Sequence, residues 1–419
     1  LDLIVKNISE LITGSGFLTK DGRKPQEEDL GIIQNAALVI ESGKFVFVGP
    51  QTKLQSFLKQ SKKKKKHKVL DTQRGSVLPG FIEAHTHLVF AGDRKDEFEM
   101  RNRGATYQEI SAKGGGIKKT VSETKKISIK DLTHLSQSRA DVFIKQGVTT
   151  LESKSGYGLD VENETKLLKV NRNLKGCRVV STFLGMHSIP TDSGIGRDQY
   201  VQSMIALLPE LKTKKLIDRV DVFIEKGFFD RNEATKLFEA ATRLELSITA
   251  HTEQMSHTGG VMDLIKFNAA SGDHLIEISE SEILRIAKSN TVAMLLPTSD
   301  FYLKIKYPPA RKLIDQGAAV ALATDFNPGT SPTQDLSLVG VLARLEMKMT
   351  LPEVFCAYTY NAAKALGLHK SLGSITLGQA ADFIVTEAVW SDFFYQVGSH
   401  PVRSVVSPHT ISGIKSKNI

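Results

Sequence analysis

Apolar and polar positions along the chain change rhythm twice. Residues 1–80 read as short alternating runs, DLIVKN, AALVIESGKFVFVG and KVLDTQRGSVLPG, and the alternation on either side of Gly43 predicts a hairpin. From about 81 to 370, strand-like runs such as GVTTLES, GCRVVSTFLG, RVDVFIE, LSITAH, NTVAMLLP and AAVALATD alternate with amphipathic stretches such as NETKLLKVNRNL and RNEATKLFEAATRL. Such alternation predicts a parallel sheet wrapped by helices, and about eight repeats fit a closed (β/α)8 TIM-like barrel. After 371 the β-like character returns in GSITLGQAADFIVTEA. Each end alone is too short to bury a core, so 1–80 and 371–419 are expected to pack together as one small β-sandwich domain beside an 81–370 barrel.

One stretch within this pattern carries chemistry. LPGFIEAHTHLVFAGDR, residues 78–94, is an apolar run ending in two histidines one residue apart. Side chains at i and i+2 of a strand share a face, so His85 and His87 project together while Thr86 points away. Two neutral imidazoles so placed grip one divalent ion. An arbitrary HxH is more often one packed and one solvated histidine, but this pair follows an apolar entry where a barrel strand reaches its C-terminal, active-site end. Later runs end in the same way. His251 closes the run from Ser247, and Asp325 follows AAVALAT; with the pair they make a His, His, His, Asp set. His187 in FLGMH and His274 in SGDHL are further strand-end histidines, each equally readable as packing.

Composition narrows the picture. At 419 residues and 41% hydrophobic content, the chain has ample apolar material for one large domain and a smaller one. It contains no run of 18 apolar residues, and its first residues mix charge and polarity, so a soluble, cytoplasmic protein with no membrane partner is expected. Two distant cysteines, Cys177 and Cys356, suit a reducing compartment and leave any metal to His and carboxylate ligands. The net charge of +9 raises the question of nucleic acid, but six lysines, Lys62 to Lys66 and Lys68, lie in one tract, and without them the balance is +3. A lysine run with no interleaved aromatics reads as a solvated polar turn, and no nucleic-acid partner is expected. The glycine-rich GGGIKKT and GYGLDV lack the spacing of phosphate or dinucleotide loops and read as loops over a site.

Taken together, HTHLVFAGDR, GGGI (114–117), ESKSGYGL (152–159), FLGMH, HTEQ, SGDH, LATDFNPGTSP and NAAKALGL resemble the imidazolonepropionase family of the amidohydrolase superfamily, over about 80–385. The resemblance implies hydrolysis of the ring amide of 4-imidazolone-5-propanoate to N-formimidoyl-L-glutamate, in histidine metabolism, by a homodimer holding one zinc or iron ion. It implies His85, His87, His251 and Asp325 as metal ligands, and Arg94, Tyr157, His187, Gln254 and Thr330 as substrate contacts. By the same resemblance Asn327 and Gly329 contact the product, and His274 lies near the attacking water. Asp325 is then the expected catalytic proton carrier, with His274 able to share that task. Some relatives carry Glu at the position of Gln254, a neutral amide that orients by hydrogen bonds and moves no proton. Two other readings stand beside this one: a cyclic amidohydrolase or nucleobase aminohydrolase, and a catalytically dead barrel used as a scaffold. A nucleobase has no carboxylate for Arg94 to hold, and a dead scaffold has no need of four ligands.

Overall fold

The computed structural model describes residues 1–60, 66–105, 115–190, 194–387, 389–409 and 411–412. Eight strands form one parallel sheet in chain order: β1 (Phe81–Glu83), β2 (Val148–Lys154), β3 (Arg178–Met186), β4 (Arg219–Ile224), β5 (Ser247–Thr252), β6 (Ser271–His274), β7 (Val292–Leu295) and β8 (Val320–Leu322). Beyond the last turn of β1 and β8 a parallel bridge joins Thr86 to Phe326, with His87 N–H donating to Phe326 C=O at 2.9 Å, and this stitch closes the ring. The expected barrel is therefore present. Its strands are parallel because helices fill the connections, and those helices start where the sequence supplies caps. Ser128, Asp160 and Asp230 each accept the backbone N–H three residues on, opening Ile129–Lys145, Val161–Asn173 and Arg231–Arg243.

Both chain ends build a second, mixed sheet. Leu3–Ile12 pairs with Ile32–Glu41, Lys68–Asp71 and Val77–Pro79, and Val77–Pro79 pairs in turn with Phe383–Thr386 from the far end of the chain. The hairpin at Gly43 forms between Ile32–Glu41 and Lys44–Pro50. Ser42 and Gly43 both take positive φ, 51° and 74°, as a two-residue turn between right-twisted strands requires. Val5, Leu38, Ile40, Phe45, Phe383 and Val406 share this sheet's core, so neither end buries it alone. Of GSITLGQAADFIVTEA only Phe383–Thr386 is a strand; Gln379 N–H turns back onto Thr376 C=O, and Gly378 has φ +84°. Most of the lysine tract, Lys62 to Lys65, lies outside the described residues; Lys66 is exposed and Lys68 opens the next strand.

Gly80 is the joint between the two sheets, one residue after Val77–Pro79 and one before β1. A Cβ there would stand 2.2 Å from Asp382 Oδ1 and 2.3 Å from Thr149 Oγ1, both on buried residues. The close approach of the barrel to its side domain thus needs a residue without a side chain. Gly80→Ala is expected to cost about 1–3 kcal/mol, the scale of overpacking a full core. An earlier midpoint in urea denaturation is the readout, and an unchanged midpoint would show that the joint has slack.

Candidate metal centre

The candidate ligands converge at the C-terminal end of the barrel strands. His85 and His87 follow β1 in extended backbone, His251 lies near the end of β5, and Asp325 follows β8 with φ 51°. All four are buried, none more than 4% exposed. Asp325 Oδ1 is 3.5 Å from both His85 Nε2 and His87 Nε2, and His251 Nε2 is 3.3 Å from His87 Nε2. His274, at φ 78° on the last residue of β6, completes a second grouping with His85 and His251. His85 Nε2 is buried and has no hydrogen-bond partner. Two imidazole nitrogens facing each other, beside an orphaned third and a carboxylate, are what a cation's ligands look like, so the donor set fits a metal ion.

Carboxylates behind the histidines fix which nitrogen faces inward. Asp273 Oδ2 lies 2.7 Å from His85 Nδ1, and Asp221 Oδ1 lies 3.1 Å from His251 Nδ1. A carboxylate accepts a hydrogen bond there, so Nδ1 carries the N–H and Nε2 offers its lone pair to the centre. Burial holds His85, His87 and His274 well below the usual histidine range, which keeps them neutral, the form that can offer a lone pair. His251 differs: burial opposes its charged form, but Asp221 outweighs burial and holds its pKa above the ordinary value. Burial also pushes Asp325 up, to about 7, against the opposing pull of His251.

Beside this cluster lies a cavity of about 220 Å³ whose wall includes Arg94, Tyr157, His187, Gln254, Asn327 and Thr330 together with His87, His251, His274 and Asp325. The expected substrate residues are thus brought to one chamber, except Gly329. Gly329 lies just outside, lining a larger cavity of about 640 Å³ that shares Arg94 and Asn327 with the inner one. A Cβ on Gly329 would fall 2.0 Å from Arg94 Nη1, so the glycine lets the guanidinium pass. Arg94 Nε donates to Thr120 Oγ1 at 3.0 Å, while the neighbouring Asp93 and Asp96 pair with Lys95 and Lys119. His187 Nδ1 lies 2.9 Å from the Gly156 carbonyl, an acceptor, so Nδ1 carries the proton and Nε2 is an acceptor; burial pushes its pKa down to about 3. The Asn327 side chain is spent on its own loop, accepting from Gly329 N and Thr330 N and donating to Asp325 C=O. Of the GGGI stretch, Gly114 lies outside the described residues and Ile117 lines the chamber.

Sequence reasoning missed the charges underneath. Lys154 on β2 is 1% exposed, with Nζ 2.8 Å from Glu152 Oε1, 2.9 Å from Asp221 Oδ2 and 3.9 Å from Asp273 Oδ2. Burial alone would strip its proton, but Asp221, Glu152 and Asp273 hold its pKa above the ordinary lysine value. Glu83, two residues before His85, accepts from Thr324 N and is pushed by burial up to about 8. Glu164, a charged residue of the amphipathic stretch NETKLLKVNRNL, is fully buried and accepts the N–H groups of Gly156, Gly158 and Leu159, fixing the loop that carries Tyr157. The available signal was ionisable residues at matching parity inside apolar runs, as in Glu152-Ser153-Lys154 and RVDVFIE.

The pattern of the amidohydrolase family matches residues 226–414. Among solved structures, an adenosine deaminase from Xanthomonas campestris with bound zinc superposes with a TM-score of 0.69 at 16% identity, over 100% of this chain and 94% of that one. A triazine hydrolase variant gives 0.74 at 16% identity, over 98% and 94%. Those likenesses establish the fold. The imidazolonepropionase of Geobacillus kaustophilus is 38% identical over 409 residues, 96% of each chain. That of Bdellovibrio bacteriovorus is 49% identical over 407 residues, 97% of this chain and 96% of its own. With nearly every second residue shared along almost the whole length of both proteins, this chain belongs to the imidazolonepropionase family of amidohydrolases.

Proposed function

We propose that the protein hydrolyses the ring amide of 4-imidazolone-5-propanoate to N-formimidoyl-L-glutamate, using one zinc or iron ion held by His85, His87, His251 and Asp325. The observation carrying this reading is a buried three-histidine, one-carboxylate cluster opening onto a small chamber with a guanidinium on its far wall. When bound, the ion polarises the amide carbonyl and lowers the pKa of water from about 15.7 towards about 7.

The remaining work falls to the chain. Arg94 holds the propanoate, since a planar guanidinium matches a carboxylate with two parallel charged hydrogen bonds. His187, neutral with Nε2 as acceptor, takes a ring N–H, and Gln254 orients the ring without exchanging protons. Tyr157 and the half-buried walls exclude bulk water. In the reaction, a C–O bond forms between water and the ring carbonyl carbon and the C–N bond breaks. Asp325 takes the water's proton and delivers it to the departing nitrogen, with His274 beside it to share the task.

Purified protein of measured metal content is expected to turn over imidazolonepropanoate and to leave a panel of nucleobases untouched; the opposite preference would sink the assignment. Arg94→Met is expected to cost about 2–5 kcal/mol in kcat/KM, the scale of removing one partner of a buried charge pair, with metal content unchanged. A loss under about threefold, roughly 0.7 kcal/mol, would put the carboxylate elsewhere. Metal uptake should depend on pH with a fixed sign. In the metal-free protein Asp325 holds a proton below about 7 and His251 has a raised pKa, so lowering the pH makes the ion compete with protons at both. Apparent affinity, from chelator competition, is expected to fall below pH 7 by about tenfold per unit for each proton displaced. A flat profile between pH 5.5 and 7.5, a window of about the pKa range of such groups, would mean those residues do not bind the ion.

A further inference from the structure

Beneath the candidate centre lies the buried Lys154 ammonium, and its surroundings divide into two kinds of carboxylate. Asp221 and Asp273 each lie between a candidate metal ligand and Nζ: Asp221 is 3.1 Å from His251 Nδ1 and 2.9 Å from Nζ, and Asp273 Oδ2 is 2.7 Å from His85 Nδ1 and 3.9 Å from Nζ, its Oδ1 accepting from Ser271 Oγ and Thr249 Oγ1. Glu152 touches no ligand nitrogen; it accepts from Lys154, Thr182 Oγ1 and Thr86 N. Lys154, Asp221 and Asp273 come from β2, β4 and β6, the alternate strands whose inward side chains share one layer of a barrel interior. That layer is ordinarily filled by branched apolar residues. Here it holds a cation between two anions, all at most 2% exposed on their side chains.

We infer that Lys154 is a positioning residue of the metal centre: its single ammonium ties together the two aspartates that orient His251 and His85, so that both Nε2 atoms point at the same ion. This rests on the reading of His85, His87, His251 and Asp325 as ligands. The physical case is one of geometry. A carboxylate that supports a histidine must itself be held, because a turn of its plane moves the imidazole it grips. Ser271 and Thr249 fix one oxygen of Asp273, while its Oδ2 and the Asp221 carboxylate face the same gap; two buried anions so placed repel where water is excluded, and a shift of either moves the histidine it grips. The ammonium reverses that force. It has three donors, enough for Glu152 and Asp221 directly while drawing Asp273 inward. Glu152 offers Nζ a further acceptor, a part that a neutral amide oxygen can also fill.

Cobalt(II) loading of the whole protein tests this, because its d–d absorption reports ligand geometry and chelator competition reports affinity, neither of which needs turnover. Lys154→Met removes the ammonium. A second variant, Lys154→Met with Glu152→Gln, removes one charge of each sign and keeps an acceptor for Thr86 N. Glu152→Gln alone leaves the clamp. Both variants lacking Lys154 are expected to bind cobalt at least about tenfold more weakly, the lower edge of what outer partners contribute, with a displaced absorption band. Glu152→Gln is expected to stay within about threefold of wild type, less than half a decade. Wild-type affinity and spectrum in either folded variant lacking Lys154 would overturn the inference, as would an equal loss in Glu152→Gln, which would make net charge the cause. Failure of both lysine variants to fold even with cobalt present would overturn it too, making Lys154 a core cation of the barrel. Wild-type protein that takes up no cobalt would instead sink the ligand assignment itself, a separate result.

Discussion

A buried charge survives only in company, and this barrel is arranged around that constraint. Lys154 has no route to solvent, so its ammonium requires the carboxylates of Glu152, Asp221 and Asp273. Those carboxylates cannot all be satisfied by one lysine. Asp221 and Asp273 turn their remaining capacity outward to His251 and His85, and Glu152 turns to Thr86 between the two histidines of the pair. His85 and His251 then each have Nδ1 engaged below and Nε2 turned to the centre. A hydrophobic interior would be the more stable filling, since replacing buried ion networks with packed apolar residues is often neutral or stabilising. What the ionic layer provides is a set of imidazoles with one tautomer and one direction.

The chamber above shows the same economy of parts. Positive φ at Asp325, just past β8, and at His274, the last residue of β6, places both in a conformation that non-glycine residues seldom adopt. Surrounding bonds hold them there: the Asn327 side chain ties down the Asp325 carbonyl, and β6 pairs on both sides up to Asp273. The loop after β8 likewise uses the Asn327 amide for itself and Gly329 for clearance, so that Arg94 can cross. Asp325, His274, Asn327 and Arg94 line the chamber, and Asn327 also keeps Asp325 in place.

What was legible in the sequence follows from which signals are local. Barrel strands and helices show in periodicity, and His85 and His87 stand out because two imidazoles at i and i+2 on an apolar run have few other uses. Asp325 and His251 were visible through position at the ends of such runs. The ionic layer was not visible, because Lys154, Asp221 and Asp273 lie far apart in sequence and nothing local pairs one with another. Glu164 was hidden for another reason: NETKLLKV has the polar spacing of a solvated helix face, and only the fold brings the 156–159 loop onto it. Arg139 is similar, a helix residue whose guanidinium lies 3.6 Å from the Phe90 ring centre and donates to the carbonyls of Leu88 and Phe90. Long-range electrostatic pairing leaves no period for a sequence to display.

The bridge between Thr86 and Phe326 has a mechanical consequence. Thr86 is the residue between the two histidines, and it is also the seam at which the ring of strands closes. The angle between His85 and His87 and the closure of the barrel are therefore one degree of freedom. Parting β1 from β8 would move the backbone that carries both histidines, so an ion held by them, as proposed, would act as a rivet across the seam. On that assignment, retention of metal and resistance to opening of the barrel would be one property, measured from two sides.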